Sequence, residues 1–437
     1  DWTDTYDTVN TANNGLDLEM PDPRHFNAAA LLPAIKAGAV SQATIDDKVR
    51  RLLRVAVSHG WLDRPQLDPG VPLYDQQSRQ AALQSAEESM VLLKNEGGLL
   101  PLDPHRVHSI AVIGPNAYPA VPSAGGSAEI TAFDPVSFLT GISDAAGNTM
   151  PVTWNPGVRD LHSIFGATGF NGSNFSVDAQ ATRPGLKQER FANDDLSGPP
   201  EDTKFVSHLD SWQGSLWAGP PQQATSYRWS GFYTPRTGGP QTFIVAGIGR
   251  DSYRLFVNDK QVLQQPRLEG QAPEALNLDL PAGRPAAIRL EYVQGAASPT
   301  LGFGVVPAEE MVEPEARELA AHADVVVLTV GFNPRTESEG FDRSYALPPG
   351  QDALIRTVLA ANPHTIVVLT AGGSVDTHAW INRVPALLHT WYAGQEGGRA
   401  LAEILLGRVN PSGKLPISFE KQLQDEPAFS NYYEAAG

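Results

Sequence analysis

The residue whose type and setting best suit chemistry is Glu339. It stands in Asn333-Pro334-Arg335-Thr336-Glu337-Ser338-Glu339-Gly340-Phe341-Asp342-Arg343, just after an apolar run that reads as a parallel strand. In open α/β sheets, ligands gather at the carboxyl ends of such strands. A glutamate held there can donate a proton near neutral pH if burial raises its pKa. A solvated acidic loop is the plain structural reading of the same residues, and spacing alone does not decide between the two. Asp1-Trp2 carries little signal by itself, because an acid at the start of a chain is normally solvated.

Other motifs point away from familiar chemistries. Gly394-Gln395-Glu396-Gly397-Gly398 lacks the G-x-G-x-x-G spacing, and Glu396 would repel a phosphate at a helix N-terminus. It reads as a tight strand-to-helix turn. Gly372-Gly373-Ser374-Val375-Asp376 has aspartate where a nucleophile elbow needs glycine. The ten histidines show no H-E-x-x-H or paired spacing, so a catalytic zinc site is not expected. No other metal and no cofactor is expected either. Trp212, Trp217 and Trp229 could stack on sugar rings, but tryptophans in strand-rich segments belong more often to the core.

The 437 residues leave room for about three domains of about 150 residues each. A 41% hydrophobic content can fill sizeable cores, and 19% charged residues is not a disordered composition. Acidic residues outnumber basic ones 49 to 32, and the formal charge of −17 disfavours nucleic acid and anionic membranes as partners. Cysteine is absent, which removes disulfides and thiolate chemistry. No apolar run reaches the ~18–20 residues of a membrane span. Because Asp rather than Met is first, the chain is expected to be a processed product or part of a longer polypeptide, with any export signal upstream. A secreted or periplasmic setting is favoured over a cytoplasmic one.

The elements that must position these residues follow from periodicity. Residues 28–38 read as a helix. A second starts near Thr44, with Asp47 at the capping-box position, Ile45, Val49, Leu52, Leu53 and Ala56 on one face, and Gly60 as the stop. Residues 62–74 are rich in proline and read as linker. A helix is expected near 75–94. Apolar strands follow at 108–114, 323–331, 364–372 and 386–394, with helices near 313–322, 350–361 and 396–407. This alternation predicts a parallel-rich sheet covered on both faces. Between the first two strands, residues 183–307 carry short alternating runs such as SYRWSGFYTP and YRLFVND, the pattern of an all-β sandwich inserted into a loop.

Taken in order, these segments resemble family 3 glycoside hydrolases of the β-glucosidase type. The likeness rests on Asp1-Trp2 followed by Asn14-Gly15-Leu16-Asp17-Leu18-Glu19-Met20-Pro21, then Val91-Leu92-Leu93-Lys94-Asn95, Gly125-Gly126-Ser127-Ala128 and Glu339-Gly340-Phe341-Asp342-Arg343. Trp391-Tyr392-Ala393-Gly394-Gln395-Glu396 and Asn410-Pro411-Ser412-Gly413 continue it. The inserted block looks like a PA14 domain, on Tyr227-Arg228-Trp229-Ser230-Gly231 and Arg254-Leu255-Phe256-Val257-Asn258-Asp259. Some PA14 domains bind calcium through adjacent aspartates; Arg250-Asp251 stands there, so no calcium is expected. The resemblance implies a retaining, exo-acting enzyme for terminal β-D-glucosyl residues of short glycosides or oligosaccharides. Asp1 would be its nucleophile and Glu339 its acid/base, with Trp2 and Glu19 at the sugar.

The resemblance also sets boundaries. Residues 1–65 would be the last helical units of an incomplete (β/α)₈ barrel and 66–80 a linker. Residues 81–182 and 308–437 would form the α/β sandwich domain around the PA14-like insertion at 183–307. A full barrel takes about 250 residues. Its absence predicts unpartnered apolar faces over 26–60 and little activity for this chain alone. A β-xylosidase, an α-arabinofuranosidase or a glucosidase for small-molecule glycosides would share the fold. A carbohydrate-binding protein acting through the PA14-like block is an alternative of another class, and a homo-oligomer stays open.

Overall fold

The computed structural model describes residues 5–70, 72, 74–170, 174–211, 223–247, 251–265, 273–295, 300–339 and 343–431. Two compact units emerge, Asp1–Asp75 and Gln76–Gly437.

The regular elements described in the first unit are helices only: α1 (Thr8–Asn13), α2 (Ala28–Lys36) and α3 (Gln42–Ser58). Each has a side-chain N-cap, from Asp7, Asn27 and Ser41. Helix α3 therefore starts before Thr44, because the Ser41 hydroxyl accepts the Thr44 amide at 3.0 Å. Asp47 is not part of that cap. It pairs instead with Arg51 one turn on, at 2.8 Å. Gly60 does end the helix: at φ 64°, it donates to Val57 O while Trp61 donates to Ala56 O, a Schellman motif. On the expected apolar face of α3, Val49, Leu52 and Leu53 are all exposed.

The second unit opens with α4 (Gln76–Ser89), so the last five residues of the expected linker are helical. The helix stops before 94, because Val91–Asn95 forms strand β1. Its apolar residues gain a partner strand far along the chain, which periodicity cannot reveal. There follow β2 (Ile110–Ile113), α5 (Phe138–Ala146), β3 (Val152–Asn155) and α6 (Leu161–Ala167). After the insertion come α7 (Pro314–His322), β14 (Val325–Gly331), α8 (Gln351–Ala361), β15 (Thr365–Thr370), β16 (Ala386–His389) and α9 (Gly397–Leu405). The sheet order is β1-β16-β15-β14-β2-β3, with β1 alone antiparallel.

Period-two alternation sends Val325, Val327, Ile366, Val368 and Leu388 into one core with Phe138, Ile142 and Leu401. Val326, Leu328, Val367, Leu369 and Leu387 enter the other, with Ala316, Ala320, Leu354 and Val358. Both faces are thus covered, and strands β2, β14, β15 and β16 are buried throughout. The fold is a mixed α/β sandwich with a parallel-rich sheet, as expected. Edge strand β3 is an addition, because its Val-Thr-Trp-Asn run lacks a doubly buried pattern.

The inserted strands are β4 (Phe175–Ser176), β5 (Leu186–Phe191), β6 (Asp202–Val206), β7 (Ser226–Tyr233), β8 (Gly239–Ala246), β9 (Ser252–Val257), β10 (Lys260–Gln265), β11 (Glu274–Leu280), β12 (Ala286–Val293) and β13 (Gly302–Pro307). They form two antiparallel sheets, β10-β9-β12-β7-β5-β6 with β4 on β7, and β11-β8-β13. Trp229, Leu255 and Tyr292 of one sheet share a core with Phe243, Val245 and Phe303 of the other. Trp229 is accordingly a core residue; Trp212 and Trp217 lie outside the described residues. The block begins earlier than 183, since β4 already pairs with β7 and Phe170 lies in the core. Strand β13 ends at Pro307.

Candidate active site

Four parallel strands, β2, β14, β15 and β16, deliver their following loops to one edge of the sheet. Strand β14 ends at Gly331, where φ is 119° and a Cβ would stand 1.9 Å from Thr370 O. Only glycine fits so close to the neighbouring strand. The buried Gln351 amide then satisfies both backbone groups of Gly331, accepting at 2.6 Å and donating at 2.8 Å. Asn116 donates to Phe332 O at 3.0 Å. The loop that carries Glu339 thus leaves a rigid strand end.

The loop after β2 meets it. Gly125 N–H donates to Glu337 O at 3.1 Å, and Glu339 N–H donates to Gly125 O at 3.4 Å. The Ser127 amide donates to Glu339 Oε2 at 2.7 Å. Gly126 sits at φ 85°, and a Cβ there would lie 2.5 Å from Glu339 Cβ. The Gly125-Gly126-Ser127 run is therefore the backbone cradle of the Glu339 side chain.

Burial, the condition for a raised Glu339 pKa, is not met in this structure. Its side chain is exposed, and the hydroxyl and amide of Ser127 hold its carboxyl below the usual glutamate range. Hydrogen bonds to the charged form outweigh the smaller effect of burial here.

A second glutamate in the loop carries more contacts than sequence reasoning assigned it. Glu337 Oε1 accepts from Arg343 Nε at 2.6 Å. Its Oε2 accepts from the Gly372 amide at 2.8 Å and the Tyr392 hydroxyl at 2.6 Å. Arg343 also donates to Ser374 O at 2.6 Å and lies over the Phe332 ring at 4.6 Å. Burial, with Glu337 beside it, pushes the Tyr392 hydroxyl far up, so it remains a donor. In the sequence, the hint was that Arg343 and Tyr392 both fall within segments that resemble family 3. Beneath them His389 is fully buried, 4.2 Å from the Trp391 ring, and burial pushes it down to about 4.

The turn after β16 is held by charge. Glu396 is fully buried at the start of α9, accepting from Arg79 Nε at 2.7 Å, with Arg399 at 3.2 Å. The reading of Gly394-Gln395-Glu396 as a strand-to-helix turn agrees with this.

Asp1 and Trp2 lie outside the described residues, as do Arg250 and Gly340-Phe341-Asp342. Glu19, in the first unit, is nearly buried, and its Oε2 accepts from the amides of His25 at 2.8 Å and Phe26 at 2.7 Å. Burial opposes its charge, but these amides outweigh it and hold the carboxyl low. Its geometry is that of a backbone clamp. Among the described residues no group of three or more His, Asp or Glu could hold a metal, and no helix is long and apolar enough to cross a membrane. A cavity of about 770 Å³ lies between the inserted block and the start of α8, lined by Glu274, Asn277, Phe332, Thr336 and Asp352. It touches the base of the Glu339 loop without including Glu339.

Residues 90–436 match the family described as glycosyl hydrolase family 3 C-terminal domain. The chain belongs to that family. Similar proteins include a probable β-glucosidase J of Emericella nidulans, 32% identical over all of this chain and 53% of its own length. A probable β-glucosidase I of Aspergillus fumigatus is 31% identical over all of this chain and 54% of its own. Among solved structures, a β-glucosidase from Kluyveromyces marxianus in complex with glucose superposes with a TM-score of 0.60 at 30% identity, covering 98% of this chain and 53% of that one. A β-glucosidase from Streptomyces venezuelae in complex with D-glucose gives 0.58 at 27%, covering 96% and 50%. This family 3 chain spans about half the length of the curated relatives it matches.

Proposed function

We propose that the chain is the later half of a retaining, exo-acting β-glucosidase that removes terminal non-reducing β-D-glucosyl residues from short glycosides. The carrying observation is Glu339, cradled by Gly126 and Ser127 at the carboxyl edge of the sheet in a family 3 domain. The likeness to proteins named as β-glucosidases favours glucose as the sugar. In this reading Asp1 attacks the anomeric carbon and displaces the leaving oxygen. Glu339 protonates that oxygen, then takes a proton from the incoming water. Trp2 forms a wall of the sugar pocket, while Glu19 keeps the segment after the nucleophile in shape rather than touching sugar.

The α1–α3 unit is read as the end of a (β/α)₈ barrel, in keeping with the exposed Val49, Leu52 and Leu53. The β4–β13 block is read as a PA14-like insertion that narrows the pocket toward compact substrates. Glu339 needs burial on its open side to hold a proton near neutrality, so this chain alone has little activity.

The test is hydrolysis of aryl β-D-glucosides and β-D-xylosides by the full-length gene product, followed by trapping with a 2-deoxy-2-fluoroglucosyl donor. Preferential glucoside hydrolysis and a label on Asp1 are expected. A label elsewhere, faster xyloside turnover, or substantial hydrolysis by the 437-residue chain would overturn the corresponding part.

A further inference from the structure

Two glutamates stand two residues apart in Thr336-Glu337-Ser338-Glu339, and their surroundings divide the labour between them. Glu337 has both oxygens occupied: Arg343 on one, and Gly372 with Tyr392 on the other. These donors come from three places. Arg343 lies beyond Glu339 on the same loop, Gly372 follows β15, and Tyr392 follows β16. The carboxyl group therefore ties the loop after β14 to the ends of the next two strands. Its backbone carbonyl also takes the Gly125 amide, reaching the loop after β2. Three described donors hold the Glu337 carboxyl in place, whereas the Glu339 carboxyl has one described partner, Ser127.

The Glu337–Arg343 contact also brackets the Glu339 segment. It joins the residue two before Glu339 to the residue four after it, with the Arg343 guanidinium fixed in turn by Ser374 O and the Phe332 ring. A planar guanidinium bound on several sides is a rigid anchor. The space is tight, since a Cβ on Gly372 would stand 3.0 Å from Glu337 Oε1.

We propose that Glu337 is a positioning residue for Glu339, acting through a clamp with Arg343, Gly372 and Tyr392. It does not touch substrate; it fixes where the proton-donating carboxyl stands. The proposal rests on the reading of Glu339 as the acid/base. A misplaced general acid slows bond cleavage most when the leaving group is poor, because a good leaving group departs without a proton.

The test is made in the full-length gene product with Glu337→Ala, Glu337→Gln and the milder Tyr392→Phe. Each is assayed on β-glucosides with leaving groups from 2,4-dinitrophenol to simple alcohols. For Glu337→Ala, kcat/KM on poor leaving groups should fall about 100-fold, while 2,4-dinitrophenyl glucoside loses less than about fivefold. Tyr392→Phe should show the same trend with a shallower slope, and Glu337→Gln should fall between. The basic limb of the pH–rate profile, set by Glu339, should move in all three, while the acidic limb, set by Asp1, stays. An equal loss across leaving groups, or no loss, in Tyr392→Phe overturns the proposal even if the Glu337 variants fail to fold. A wild type without glycosidase activity, or a Glu339→Ala variant as active as wild type, overturns the acid/base reading itself.

Discussion

A Cβ added to Gly126 would lie 2.5 Å from Glu339 Cβ, so the loop after β2 and the loop after β14 meet at a point where only glycine fits. Gly126 also sits at φ 85°. Gly126→Ala thus meets both a clash and a strained backbone, the latter costing about 1–2 kcal/mol. The expected result in the full-length gene product is a loss of about 100-fold in kcat/KM on aryl glucosides with only a modest fall in Tm. Steady-state kinetics beside a thermal melt check both.

Ser127 holds Glu339 in its charged form, so removing the hydroxyl must move its titration upward. In Ser127→Ala, the Glu339 carboxyl should titrate at higher pH than in the wild-type chain, while the remaining amide keeps it below an unperturbed glutamate. NMR titration of the side-chain carboxyl carbon reads this directly.

His389 makes stability depend on pH in a defined direction. It is pushed down to about 4 in the folded chain, from an ordinary 6.5. The unfolded chain therefore takes up a proton first as pH falls. Stability from this group is complete above about 6.5 and declines down to about 4, by roughly 3 kcal/mol in all. Chemical denaturation across that window should show a shallower acid decline in His389→Leu than in wild type.

Much of the fold was legible because its signals are local. Strands β14 and β15 are runs of β-branched residues closed by small ones, and α7, α8 and α9 lie where the intervening stretches placed them. Strand β1 was not legible. Val91-Leu92-Leu93-Lys94-Asn95 continues a helix without a break, and only pairing with β16, almost 300 residues away, makes it extended. The site divides in the same way. Glu339 could be singled out from its segment, but its exposure depends on the folded packing around it. That Glu337 is the anchored glutamate depends on Arg343, Gly372 and Tyr392, three residues that only the folded sheet brings together.

The ion pair of partly buried Arg79 with fully buried Glu396 should behave as a structural charge pair. Arg79→Ala leaves the buried Glu396 with Arg399 as its one remaining ion-pair partner among the described residues, and should cost about 3–5 kcal/mol. Replacing both residues by methionine should cost much less than the single change. Urea denaturation of the two variants separates these outcomes.

The central claim, that Glu339 is the acid/base of a retaining glucosidase, meets its most direct test in Glu339→Ala of the full-length gene product with 2,4-dinitrophenyl β-D-glucoside and azide. Without the carboxyl, water attacks the glycosyl-enzyme slowly, and azide, which needs no general base, should displace the Asp1 carboxylate from the anomeric carbon. The expected result is recovery of turnover with β-D-glucosyl azide as product. No rescue by azide, or an α-configured azide, would contradict it.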